Sequence, residues 1–101
     1  MDVVQSINLI SINPKVRGGR PCIVGTGLRV TDVAIAHLFH QRIPSDIASD
    51  YALSLAQVHA ALAYYYEHKA ELDEDIRQQI AKAKMYQERQ VGGNESSLLS
   101  G

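Results

Sequence analysis

Residues 18–27, Gly18-Gly19-Arg20-Pro21-Cys22-Ile23-Val24-Gly25-Thr26-Gly27, concentrate four glycines in a stretch that could cradle a phosphate. A P-loop needs Lys followed by Ser or Thr after its last glycine, to reach phosphates and magnesium. Here Gly25 is followed by Thr26-Gly27. The dinucleotide fingerprint fails as well, because Gly25-x-Gly27 is followed by Val30 where the third glycine belongs. His37 and His40 lie three apart, close enough on a helix to share a metal. Neither has an evident third ligand, the nearest acids being Asp32 and Asp46, so both are read as exposed surface histidines and no metal site is expected. His59 reads as a boundary residue on the core side of its helix, and His68 as surface. Cys22 has no neighbouring His or Asp and sits among apolar residues, which predicts a buried structural thiol rather than a nucleophile. Tyr64-Tyr65-Tyr66 could stack bases, but helical geometry sends Tyr65 inward, Tyr64 outward and Tyr66 to the boundary. No catalytic constellation assembles and no cofactor is implied. The chemistry expected of this chain is binding, not catalysis.

The elements that would position these residues fit one small domain. The chain has 101 residues, 46% hydrophobic and 21% charged, with a formal net charge of −1. That composition suits an ordinary globular protein and not a strongly basic, non-specific nucleic-acid binder. No run approaches the roughly 18 apolar residues of a membrane span. Met1–Ile10 carries Asp2 and lacks a basic n-region, so it makes a poor signal peptide. A single cysteine excludes an intrachain disulfide, and the reducing cytosol is the expected compartment. Charge is uneven along the chain. Residues 1–45 hold Lys15, Arg17, Arg20, Arg29 and Arg42 against Asp2 and Asp32, a net of +3. Residues 46–90 hold five bases against eight acids, a net of −3. The asymmetry suits two different partners, or it is a chance feature of a solvated surface.

Ile7–Ile12 alternates apolar and polar residues as a short strand does, until Asn13-Pro14 ends it. Ile23-Val24 and Leu28-Arg29-Val30 flank Gly25-Thr26-Gly27, which predicts a tight hairpin. From Thr31-Asp32 the period lengthens to that of a helix, with Ile35, Leu38 and Phe39 expected on its core face. A second helix starts at Ser45-Asp46 and carries Ile47, Ala48 and Tyr51. Ala52-Leu53 connects it to a third, capped by Ser54, whose inner stripe is Leu55, Val58, Leu62 and Tyr65. A fourth helix is expected over 72–90, with Leu72, Ile76, Ile80, Ala83 and Tyr86 on one side and a stop at Gly92-Gly93-Asn94. Residues 91–101 read as a disordered tail. The expected architecture is therefore mainly α: a β-segment over 7–30, a trihelical helix-turn-helix over 31–69 and the C-terminal helix, one domain over 1–90.

In such a fold the third helix packs by one stripe and offers the opposite face to a major groove. Ser54, Gln57, Ala60 and Tyr64 would form that face, with Gln57 able to bond adenine and Ala60 to touch a thymine methyl. The face carries no Lys or Arg, so Arg29, Arg42 and the N-terminal arm would contact phosphates. Periodicity alone serves equally well a helical bundle whose same face binds protein. The stripe Leu72, Ile76, Ile80 and Tyr86 likewise fits an internal core, a sister chain or another partner's apolar groove.

The ordered series Ile12-Asn13-Pro14, Gly18-Gly19-Arg20-Pro21, Ile23-Val24-Gly25-Thr26-Gly27-Leu28-Arg29-Val30, Ser45-Asp46-Ile47-Ala48-Ser49-Asp50-Tyr51 and Leu53–Tyr65 resembles a bacterial family catalogued as domain of unknown function DUF433, similar to VapB-type antitoxins. The resemblance covers residues 7–70. It implies a homeodomain-like helix-turn-helix behind a small β-segment, and the antitoxin half of a toxin–antitoxin pair. Such an antitoxin would bind operator DNA as a homodimer, repress its own operon and neutralise a PIN-like ribonuclease toxin. Pairing of N-terminal strands or of fourth helices across a two-fold axis would make the dimer. The alternative is a protein-interaction module on the same scaffold, without DNA binding. The chain departs from the family pattern at Gly27, where Arg is common after Gly-Thr, and at Ile43, where Ser is common before the Pro of the second helix.

Overall fold

The computed structural model describes residues 1–100, with side chains described for 1–89. Among the described residues, two strands and four α-helices follow in the order β1 (Ile10–Ser11), β2 (Cys22–Ile23), α1 (Val30–Leu38), α2 (Pro44–Tyr51), α3 (Leu55–Glu67) and α4 (Lys69–Ser100), with a short 3-10 turn at Arg17–Gly19 between the strands. The protein is mainly helical, with a two-stranded N-terminal hairpin. It divides into two compact units, Met1–Lys69 and Ala70–Gly101.

The strand expected over Ile7–Ile12 contracts to Ile10–Ser11, and its partner is β2, antiparallel, with Ile10 opposite Ile23 and Ser11 opposite Cys22. The tight hairpin around Gly25 forms too, but as a turn and not a ladder. Thr26 N–H donates to Ile23 O at 3.1 Å, Ile23 N–H to Leu28 O at 2.9 Å, and a single bridge joins Cys22 to Arg29. Gly25 takes φ +75° at the turn, whereas Gly27 has no positive φ. The Thr26 hydroxyl closes the turn from inside, donating to Ile23 O at 2.8 Å and accepting from Leu28 N–H at 3.1 Å.

α1 begins one residue before the expected Thr31, with Arg29 at its N-cap. Its buried face is Val30, Thr31, Val33, Ala34 and Ala36. The expected core face is corrected: Leu38 and Phe39 are exposed and Ile35 is only partly covered. Val30, Val33 and Ala34 lie at i, i+3 and i+4, so they share a side, and their small volume lets α3 approach closely. The large residues stand on the other side or in the last turn, beyond the packing.

α2 begins at Pro44, whose missing N–H costs nothing at the first helical position. Ile47 and Ala48 are buried, but Tyr51 is exposed. Ala52 ends the helix in the left-handed conformation (φ 56°, ψ 43°), and Leu53 N–H closes back onto Ala48 O at 2.8 Å. Ser54 caps α3 as expected. Three residues, Ala52-Leu53-Ser54, therefore separate α2 from α3. α3 packs on both α1 and α2 and carries the unit's core through Val58, Ala61, Leu62 and Tyr65. Leu55, expected on that stripe, is 52% exposed because it is the first helical residue. The three helices have 9, 8 and 13 residues.

α4 starts at Lys69, three residues before the expected Leu72, with only His68 between it and α3. Its backbone continues helical through Gly92-Gly93-Asn94 to Ser100, so the expected stop is corrected. Glycine inside a helix costs about 1 kcal/mol relative to alanine and does not by itself end one. The tail reading of residues 91–101 otherwise lies outside the described side chains. Within α4, Leu72 and Ile76 are buried while Ile80, Met85 and Tyr86 are about half exposed or more. Glu74 and Arg77 pair along the helix at 2.7 Å, and that hydrogen bond holds the Glu74 carboxyl below the usual carboxylate range.

Candidate nucleic-acid interface

The capping of α3 decides what its first turn can offer. Gln57 N–H donates to Ser54 Oγ at 3.1 Å, and Ser54 N–H donates to Gln57 Oε1 at 2.8 Å. This reciprocal box satisfies two orphan backbone donors and fixes the Gln57 side chain. Its Oε1 is thereby engaged, which leaves the Nε2 amide group as what Gln57 presents. Around it, Ser54, Leu55, Ala56 and His59 are exposed. His59, read from sequence as a boundary residue, belongs to this outer face. The missed signal was its placement one step off the Val58–Leu62 stripe.

Ala60 and Tyr64 are not open surface. Both are half-buried and line a groove of about 640 Å³ with Ala63, Glu67 and His68, whose opposite wall is the N-terminal arm through Val4, Gln5, Ile7 and Ile10. Tyr64 stacks on His68, ring centroids 4.0 Å apart, and His68 Nδ1 lies 3.0 Å from Tyr64 O. A carbonyl only accepts, so Nδ1 carries the proton there. Tyr65 is buried and Tyr66 exposed, edge-on to it at 5.2 Å. The expected face of α3 is thus split between an open first half and a second half walled by the arm.

The two arginines assigned to phosphate are committed elsewhere. Arg29 and Asp32 form a pair at 2.8 Å, about one-fifth exposed, and Arg29 N–H donates to Asp32 Oδ2 at 2.9 Å. This pair starts α1, because the carboxylate sits at the helix N-terminus, where it also favours the dipole. Arg42 donates to Asp50 at 2.6 Å and lies 3.8 Å from Asp46. The hydrogen bond that Arg42 donates to Asp50, then the Asp50 charge, raise the Arg42 pKa above its ordinary value. Arg42 thus ties the approach to α2 onto that helix.

Other candidate groups are structural. His37 Nδ1 donates to Arg42 O at 2.8 Å, so it is a half-buried closure of the α1–α2 connection and not the freely exposed residue expected. His40 is exposed. Cys22 is buried, its thiol 3.4 Å from Arg20 O, and burial pushes its pKa up, as suits an unreactive thiol. Among the described residues, no cluster of three His, Cys, Asp or Glu could hold a metal, and no helix is long and apolar enough to cross a membrane.

The loop between β1 and β2 holds a feature that sequence reading passed over. Arg17 has φ +51°, followed by Gly18 at +66° and Gly19 at +79°, a left-handed turn closed by Gly19 N–H on Val16 O at 3.0 Å. A non-glycine residue in that region carries a cost of about 1–2 kcal/mol. Glycines at 18 and 19 signalled a turn, but no residue pattern marks Arg17 as left-handed.

Fold and site together define a small, mainly helical protein with an N-terminal hairpin and a three-residue link between α2 and α3. Residues 10–65, more than half of the chain, match the family described as Protein of unknown function (DUF433), and the chain belongs to that family. Comparison with curated proteins and with solved structures finds no match.

Proposed function

We propose that the chain is a non-enzymatic, DNA-binding antitoxin that acts in the cytosol as a homodimer, with α2 and α3 serving as a homeodomain-like helix-turn-helix. One observation carries this reading: α3 follows α2 after only Ala52-Leu53-Ser54, buries one stripe and leaves the outer side of its N-terminal end, Ser54 to His59, largely open. A recognition helix works in that way, with its N-terminal residues against base edges. Gln57 Nε2, Ala56 and His59 then meet the bases, the amide donating to an acceptor and the methyl meeting thymine. In the same reading the protein represses its own operon and neutralises a PIN-like ribonuclease, using the exposed part of the α4 stripe, Ile80 and Tyr86. Leu72 and Ile76 are buried and serve the fold instead.

A second reading, a protein-interaction module without DNA binding, draws on two observations. Arg29 and Arg42 are both ion-paired, and Leu38, Phe39, Ile43, Tyr51 and Leu55 are exposed apolar residues. Titration against the duplex upstream of the chain's own gene separates the two. The DNA reading expects saturable binding, tighter than to a scrambled duplex and weakening steeply with salt. Absence of binding at low salt would leave the interaction module.

A further inference from the structure

Four bases of the Met1–Lys69 unit make a contrast. Arg29 and Arg42 are held by carboxylates of their own chain. Lys15 and Arg17 are exposed, and among the described residues their side chains have neither ion pair nor hydrogen bond. No acid occurs in the sequence between Asp2 and Asp32, so nothing local neutralises them.

Arg17 is also the strained residue of its turn. Glycine would take the same φ without penalty, as Gly18 and Gly19 do beside it. An exposed arginine whose side chain makes neither hydrogen bond nor ion pair among the described residues gives the fold little in return for the strain. Strain that persists at such a position points to a side chain that works on something outside the molecule. The loop leaves directly from β1, which packs beside α3, and Ile10 of β1 shares a groove with Ala60 and Tyr64.

We propose that Lys15 and Arg17 form a phosphate-contact site that grips the backbone of duplex DNA, in the role that charge alone had suggested for Arg42. This rests on the DNA-binding reading of α3 and assigns the electrostatic half of that contact. An ammonium point charge and a forked guanidinium are the two groups that commonly hold phosphodiester oxygens.

The test uses the full chain and two fluorescein-labelled duplexes of equal length, the gene's own upstream region and a scrambled sequence, titrated from about 50 to about 200 mM salt. The Lys15→Gln/Arg17→Gln double variant should weaken binding to both duplexes by the same factor. It should also flatten the slope of log affinity against log salt by about 2. Arg17→Gly alone should flatten it by about 1 while the melting temperature stays at or above that of the parent. An unchanged slope in the double variant overturns the site and leaves the DNA reading standing. Equal affinity of the parent for the two duplexes, with the slope lost in the variant, keeps the site and overturns operator recognition. No binding to either duplex overturns both. A lowered melting temperature for Arg17→Gly makes the residue structural and overturns the site.

Discussion

Arg29 and Arg17 lie on the same N-terminal segment, yet the fold treats them in opposite ways. Arg29 is partly buried, paired with Asp32, and placed where its backbone opens α1. Arg17 is exposed, left-handed and without a side-chain partner among the described residues. Arg42 belongs with Arg29, since Asp50 and Asp46 hold it to α2. A base in a sequence therefore says little about where positive charge is on offer. A carboxylate three, four or eight residues away turns an apparent phosphate contact into a piece of scaffold.

That contrast can be broken by substitution, and a core residue sets the scale. Tyr65→Ala should cost about 3–5 kcal/mol, because a fully buried aromatic ring on α3 leaves a cavity. Chemical denaturation followed by helical circular dichroism would read it, and a loss below 1 kcal/mol would mean the packing is misassigned. Arg29→Ala should cost roughly 1–2 kcal/mol, since it removes a partly buried pair and leaves the Asp32 carboxylate without its guanidinium. The same measurement checks it. Arg42→Ala should cost less than Arg29→Ala, because its pairs are nearly half exposed, and the cost should fade at high salt. A large, salt-independent loss would place Arg42 in the core instead. Arg17→Gly should cost nothing, or raise the melting temperature slightly, which calorimetry would show. If Arg17 proves the more costly of the two arginines to lose, the contrast is reversed.

Much of this molecule was legible in its residues. Ser54 marked the start of α3, and the Val58, Leu62 and Tyr65 stripe marked its inner face, because both are local signals; that Gln57 closes the cap was not read. α1 misled because its real stripe is made of Val30, Val33 and Ala34, small residues that the larger Leu38 and Phe39 outweigh on inspection. The Arg42–Asp50 pair bridges a helix junction, so its partner depends on how Pro44 turns the chain. The groove that takes Ala60 and Tyr64 from open surface needs the N-terminal arm to lie beside α3, a tertiary fact with no local mark. The left-handed Arg17 was hidden for the same reason as most backbone strain: only the glycines around it announce a turn.

In the function proposed above, the outer face of α3 and the β1–β2 loop meet DNA together. Amide chemical-shift mapping of the labelled chain, titrated with its upstream duplex, tests this most directly. The largest shifts should fall at two separate places, Lys15–Gly19 and Ser54–His59, with little change at Asp50 or Arg29. Shifts confined to Leu38, Phe39 and Tyr51, or no shifts at all at low salt, would contradict the claim.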